Sequence, residues 1–411
     1  MQRARLFVVL GLVYIDMLGI GIAFPLLPKL VQQFEHGNTS NASYVVGFLA
    51  SAFSLMQFLM APAIGAASDA YGRRPVILLA LAGSVVSYSA MGLAPNLIVL
   101  AIGRLVAGAM GGSFSTAGAY LADITPPEKR AQSFGLIGTA FGVGFITGPA
   151  LGGVLGAVDL RLPFLVAAGL CALNFAVGFF VLPESLDAAH RKPFHIARAN
   201  PVGAVREIGR YGQVKALIVI FIMAMFANRV AEITWVLYTG YRFHWGTFLN
   251  GLSLAMVGVM FIVGQGVMPR VLIPKIGEAR AVVLGLSVSV ILPTLYGLVP
   301  QGWMLFLVMP LGIFGWTVAQ PAMQALMSRA VPANEQGLLQ GALASLMNLT
   351  SIFGPPIWSG LFGFFISPAA PVIIPGAAFF VAAMVFAVAL TLALRWVSGM
   401  RDTAVAETAA S

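Results

Sequence analysis

The sequence predicts an all-α membrane protein of twelve transmembrane helices, arranged as two pseudo-symmetric six-helix bundles with both termini in the cytoplasm. Three observations predict this. The 411 residues are 59% hydrophobic and only 9% charged, with a mean hydropathy of +0.92, whereas a soluble domain is about 45–50% apolar and about 25% charged. The apolar residues form continuous runs near the length of a membrane-spanning helix, not the short alternating stretches of a β-barrel. Lys and Arg are also divided unequally between alternate loops. With the N-terminus inside, 18 of the 23 fall on the cytoplasmic side and three, Lys29, Arg161 and Arg242, on the outer side.

The elements follow in order. The run at 6–28 follows MQRAR and imitates a leader peptide. Asp16 interrupts it and no small-residue cleavage site follows, so it reads as the first span. Further spans are expected at 44–64, 75–93, 97–120, 131–156 and 162–182, closing an N-terminal bundle over 1–182. The polar stretch 183–213, with Arg191, Lys192, Arg198, Arg206 and Arg210, is the one linker. Six more spans are expected at 214–239, 248–272, 281–299, 302–326, 337–366 and 372–394. They make a C-terminal bundle over 214–394, with a cytoplasmic tail at 395–411.

Composition excludes several function classes. A net charge of +9 in a soluble protein would suggest nucleic acid. Here the basic residues orient the chain in the bilayer, and no nucleic-acid partner is expected. A single cysteine, Cys171, excludes an internal disulfide framework. No G-x-x-x-x-G-K-[ST] phosphate cradle occurs, so ATP is not expected as the energy source. No His/Cys group has metal-ligand spacing and no catalytic constellation is present, so neither a cofactor, a metal nor an enzymatic activity is expected.

The stretch Gly65 to Leu81, GAASDAYGRRPVILLAL, concentrates Asp69, Arg73 and Arg74 around Gly72 between two apolar runs. It echoes weakly as Pro274-Lys-Ile-Gly-Glu-Ala-Arg280 followed by AVVLGL. Gly135, Gly148 and Pro149 recur as Gly341, Gly354 and Pro355 at a constant offset of 206. The two halves are therefore read as repeats, an organisation known among secondary transporters.

The pattern G-x-x-S-D-x-x-G-R-R-P resembles the loop 2–3 signature of the major facilitator superfamily, although Ala70 stands where an arginine is usual. Gly135, Gly144, Gly148, Pro149, Gly152 and Gly153 in the fifth span resemble the glycine-proline motif of its drug:proton antiporters. Arg104 with Gly108 matches a third signature. The runs DMLGIGIAFPLLPKL (16–30), LMQFLMAPAIGAASD (55–69), AGAYLADI (117–124) and RFHW (242–245) are similar to the tetracycline efflux antiporters.

The resemblance implies a secondary active transporter of the bacterial inner membrane, working as a single chain by alternating access. Its partners would be a small drug-like substrate, a proton and the lipid bilayer. An alternative on the same fold is a facilitator or importer of a metabolite. The resemblance also implies a conformational latch at Asp69, Gly72, Arg73, Arg74, Asp123 and Arg130, and a bendable seal made by the fifth-span glycines. Three positions depart from the exporters of the metal–tetracycline complex. Ser87 and Ser289 stand where those have aspartates, and Phe261 where they have a histidine. Tetracycline itself is therefore not implied.

Ionisable residues inside spans are costly and are functional candidates. Asp16 can alternate between charged and neutral forms, and Arg104 keeps its charge; the pair is expected to handle the proton. Arg229 and Glu232 are three apart on one helical face, either a coupling site or a self-satisfied pair. An apolar cavity dotted with amide and aromatic groups suits flat amphipathic compounds. Its expected lining is Gln57, Tyr120, Asn174, Arg229, Glu232, Trp235, Gln265, Trp316, Gln320 and Asn348.

Overall fold

The computed structural model describes residues 2–111, 113–187, 189, 191, 212–332 and 335–410, and no strand occurs among them. The first half comprises α1 (Gln2–Phe34), α2 (Thr39–Tyr71), α3 (Arg73–Gly92), α4 (Leu97–Met110), α5 (Ser113–Ile124), α6 (Arg130–Val158) and α7 (Leu162–Val181). The second comprises α8 (Gly212–Phe243), α9 (Thr247–Ile276), α10 (Glu278–Leu298), α11 (Trp303–Arg329), α12 (Gln336–Phe365) and α13 (Ala377–Ala410). Hydrocarbon offers no water to a backbone N–H or C=O, so each spanning segment must pair its own. Helices do that even where prolines interrupt them, as at Pro25, Pro28, Pro149 and Pro293.

Among the described residues, eleven segments are long and apolar enough to cross a membrane, α4 and α5 together forming one. The 30-residue α12 equals them in length, but Asn348, Thr350, Ser351, Pro355 and Pro356 dilute its hydropathy.

By contacts the chain divides into two compact units, 1–199 with 244–258, and 200–243 with 259–411. The expected bundles over 1–182 and 214–394 differ from this at 244–258, where the start of α9 packs into the first unit. Most of the expected linker, 183–213, lies outside the described residues. Of the expected tail at 395–411, residues up to Ala410 continue α13 as helix, since no proline follows Ala377 and the segment is rich in alanine.

In the first unit α1 packs along α6 and α7, α3 along α4 and α7, and α2 along α4. Lipid gives helices no hydrophobic reason to associate, so close fit must do it. The α1–α6 contact shows how. A Cβ on Gly144 would lie 2.6 Å from the Tyr14 carbonyl oxygen, one on Gly148 2.6 Å from that of Leu18, and one on Gly152 3.1 Å from that of Ile22. Both helices step by four residues, so glycine faces backbone at three successive turns. Gly153 points another way: a Cβ there would sit 2.9 Å from the Cα of Gly251, at the start of α9. A core of Val9, Leu12, Leu81, Ala117, Tyr120 and Leu121 joins α1, α3 and α5 near the end where α1 begins.

In the second unit α10 packs on α11 and α13, and α8 on α12 and α13. Trp235 and Tyr238 of α8 meet Tyr296 and Phe379 edge-on. The Trp358 indole donates 2.8 Å to the Phe226 carbonyl.

Inserting side-chain volume at a filled contact costs about 1–3 kcal/mol or more. Gly148→Val should therefore lower the melting temperature of the purified protein by several degrees, whereas Gly135→Ala, which enters open space, should leave it unchanged. Equal melting of the two variants would refute the glycine ladder.

Candidate functional site

The charged hinge begins at Gly72, whose φ of +109° lies in the region that favours glycine. A Cβ there would also overlap the Glu184 carboxylate. Gly72 supplies no side chain to cap α3, and Glu184 does this from beyond the end of α7. It accepts from the backbone N–H groups of Arg73 (2.8 Å), Arg74 (3.3 Å), Ser185 (3.0 Å) and Leu186 (3.1 Å). The Arg73 guanidinium then turns to Asp69 at 2.5 Å, Ser68 at 3.0 Å and Asp123 at 3.4 Å. Ser185 donates to the same Asp123 oxygen at 3.0 Å.

The structure thus joins Asp69, Arg73 and Asp123 across α2, α3 and α5. Two members of the expected latch fall outside it. Arg74 donates instead to the Phe179 carbonyl at 2.7 Å. Arg130 is exposed at the start of α6 and makes no ion pair among the described residues. Ser68, Glu184 and Ser185 belong to the network and were not anticipated. Glu184, an acid directly beyond an apolar run, was the available signal.

The second group lies inside the spans. It comprises Asp16 on α1, Tyr88 on α3 and Arg104 on α4. Tyr88 is buried, and a Cβ on Gly19 would overlap its hydroxyl, so that hydroxyl lies against α1 within one turn of Asp16. The Arg104 guanidinium sits 4.3 Å above the Phe53 ring, and its Nε has no hydrogen-bond partner. Tyr88 was missed because an aromatic hydroxyl in an apolar run carries no motif.

The expected cavity residues separate into two groups. Gln265 and Gln320 approach through their amides at 3.5 Å, linking α9 to α11. Arg229 pairs with Glu232 at 2.5 Å and donates to Ser351 of α12 at 2.7 Å. Gln57 is half-buried, donating to the Gly111 carbonyl at 3.4 Å, and Asn348 is exposed. Asn174 is buried in α7 with its amide nitrogen unpartnered. Tyr120 is corrected: it is fully buried, with its hydroxyl on the Pro183 carbonyl at 3.1 Å, and is a core residue. Trp235 and Trp316 are also buried in helix packing and present almost no surface to a cavity.

Residues 9–355 match the family described as the Major Facilitator Superfamily. The chain belongs to that superfamily. It is a multi-pass membrane transporter and not an enzyme. The chain is 40% identical to the class C tetracycline resistance protein of Escherichia coli, over 87% of this chain and 89% of that protein. It is 37% identical to the class G protein of Vibrio anguillarum, over 88% and 91%. Among solved structures, that of the human organic anion transporter MFSD10 (TETRAN) superposes with a TM-score of 0.66 at 25% identity, covering 95% of this chain and 99% of that one.

The three departures from the metal–tetracycline exporters now have positions within this superfamily fold. Ser87 and Ser289 are buried and donate to carbonyls of their own helices, those of Ser84 (3.1 Å) and Gly285 (2.9 Å). Phe261 is partly exposed on α9.

Removing an acceptor that satisfies several partly buried donors costs about 1–3 kcal/mol. Glu184→Ala should therefore lower the thermal unfolding midpoint clearly more than Ser185→Ala, measured on purified protein in detergent. The reverse order would rule out Glu184 as the cap of α3.

Proposed function

We propose that this superfamily member exports an amphipathic, drug-like small molecule in exchange for protons, working as a single chain without ATP. The carrying observation is an intramembrane acid, Asp16, within one turn of the place on α1 where the Tyr88 hydroxyl lies, in the unit whose α6 holds the complete glycine-proline motif. The names of the tetracycline resistance relatives support the drug class. Ser87, Phe261 and Ser289 support a substrate that is not a cationic metal chelate, since none of them carries charge.

In this reading a proton arriving from outside neutralises Asp16, and its release to the cytoplasm restores the charge. The Tyr88 hydroxyl and the fixed charge of Arg104 bias the two forms. A membrane potential adds about 2.3 kcal/mol per charge per 100 mV. The face bearing Arg73, Arg74 and Glu184 is cytoplasmic in this proposal, supported by the loop distribution of basic residues. Asp69, Arg73 and Asp123 act as a latch on one conformation, remote from the substrate.

The proposal is tested by a drug-susceptibility panel in an efflux-deficient host and by proton-driven uptake into inverted vesicles. The wild-type chain should raise resistance to at least one amphipathic compound, and Asp16→Asn should abolish both resistance and uptake. Unchanged uptake in Asp16→Asn removes Asp16 from proton coupling. Counterflow that needs no pH gradient would instead identify a facilitator. For the latch, Asp69→Asn should cut the maximal rate about tenfold while the half-saturating concentration stays within about twofold. A large loss of affinity at normal turnover would overturn that role.

A further inference from the structure

Each unit has a cavity at the basic end of its helices, and neither cavity takes part in the chemistry above. In the first unit a space of about 540 Å³ opens between the start of α3 and the end of α7, lined by Tyr71, Arg74, Phe179, Phe180, Glu184 and Arg191. Arg74 spends one N–H on the Phe179 carbonyl and lies 5.5 Å over the Phe179 ring, while its Nε has no hydrogen-bond partner. Arg191 is exposed and makes no ion pair among the described residues. The one acid in the lining, Glu184, faces four backbone N–H groups and pairs with neither arginine side chain. The cavity is therefore a cationic recess with unused donors. Its rim is apolar: Phe180 is 84% exposed and Phe179 49% exposed on the last turn of a membrane-spanning helix.

The second unit repeats the arrangement. Arg280 stands 206 residues after Arg74, the offset that relates Gly148 to Gly354. Like Arg74 it lies in the first turn of a helix that follows a glycine of positive φ, Gly277. It lines a cavity of about 650 Å³ between the start of α10 and the stretch 394–398 of α13, with Val283, Leu284, Ser287, Leu394 and Val397. The acid beside it, Glu278, is bound by Arg329 at 2.6 Å, so Arg280 is left without an ion pair among the described residues. Leu284 and Leu394 carry the apolar rim, 46% and 49% exposed.

We propose that these two recesses are sites for the phosphate of an anionic phospholipid, held by Arg74 with Arg191 in one unit and by Arg280 in the other. A guanidinium binds a phosphate through paired, charge-assisted hydrogen bonds. Basic pockets between transmembrane helices on the cytoplasmic side suit lipid headgroups. The same arginines could hold free phosphate. The lipid is the source because the exposed Phe180, Leu284 and Leu394 stand where acyl chains would lie, and a free anion has no use for them.

The test is native mass spectrometry of the full-length protein in a nonionic detergent, titrated with phosphatidylglycerol. The wild type should retain two lipids. Arg74→Gln and Arg280→Gln should each lose one, the lost site needing about tenfold more lipid for half-occupancy, and the double variant should lose both. Arg74→Lys and Arg280→Lys keep the charge and should retain most of the binding, and a melting curve on every variant separates lost binding from lost fold. Inorganic phosphate in large molar excess should leave the bound lipid in place. Retention of both lipids by a folded double variant overturns the proposal. Displacement of the lipid by inorganic phosphate overturns the assignment to lipid.

Discussion

The absence of water from the hydrocarbon layer is the constraint on which every other feature depends. It forces the backbone into helices and leaves each polar side chain to find its partner within the protein. Many Ser and Thr groups in the spans answer it locally. Thr147, Thr234, Ser289 and Ser345 donate to carbonyls three or four residues earlier on their own helices. The charged groups need more. Arg229 uses a carboxylate and a hydroxyl from two helices, and Arg104 uses the face of Phe53. A guanidinium over an aromatic ring gains an electrostatic attraction where no water competes. These few positions stand out because the rest of the chain has so little charge.

The same constraint explains the glycines. Where solvent does not press helices together, their surfaces must fit, and α1 meets α6 through backbone at three successive turns. Apart from Arg229 with Glu232, the ion pairs among the described residues gather where the helices end. The first unit ties Asp69, Arg73 and Asp123 there, while the second uses Glu278 with Arg329. The two repeats thus keep the position of the hinge but satisfy it with different residues.

Much of this was legible in the sequence, for physical reasons that can be named. Hydropathy exposed the spans because lipid tolerates so few alternatives to an apolar helix. Asp69, Arg73 and Asp123 were legible because charges between apolar runs are rare. Glu184 was not, because its partners are backbone N–H groups, two of them more than 100 residues away, and backbone donors have no sequence signature. Tyr120 was misread because a ring facing a cavity and a ring filling a core look identical in sequence. Arg74 and Arg130 share the residue type of Arg73, and only geometry separates the three. The continuation of α13 beyond 394 was hidden by the fall in hydropathy, which marks the edge of lipid and not the end of a helix.

The Glu184 cap has a consequence for how the chain is made. The helix it caps begins at Arg73, yet the carboxylate is synthesised 111 residues later. A ribosome adds residues from the N-terminus, and domains generally fold as units in that order. The first turn of α3 is therefore made before its cap exists, and only the arrival of the end of α7 completes it. One carboxylate thus ties the start of the third span to the end of the sixth, and the hinge can take its final form only after both have been made.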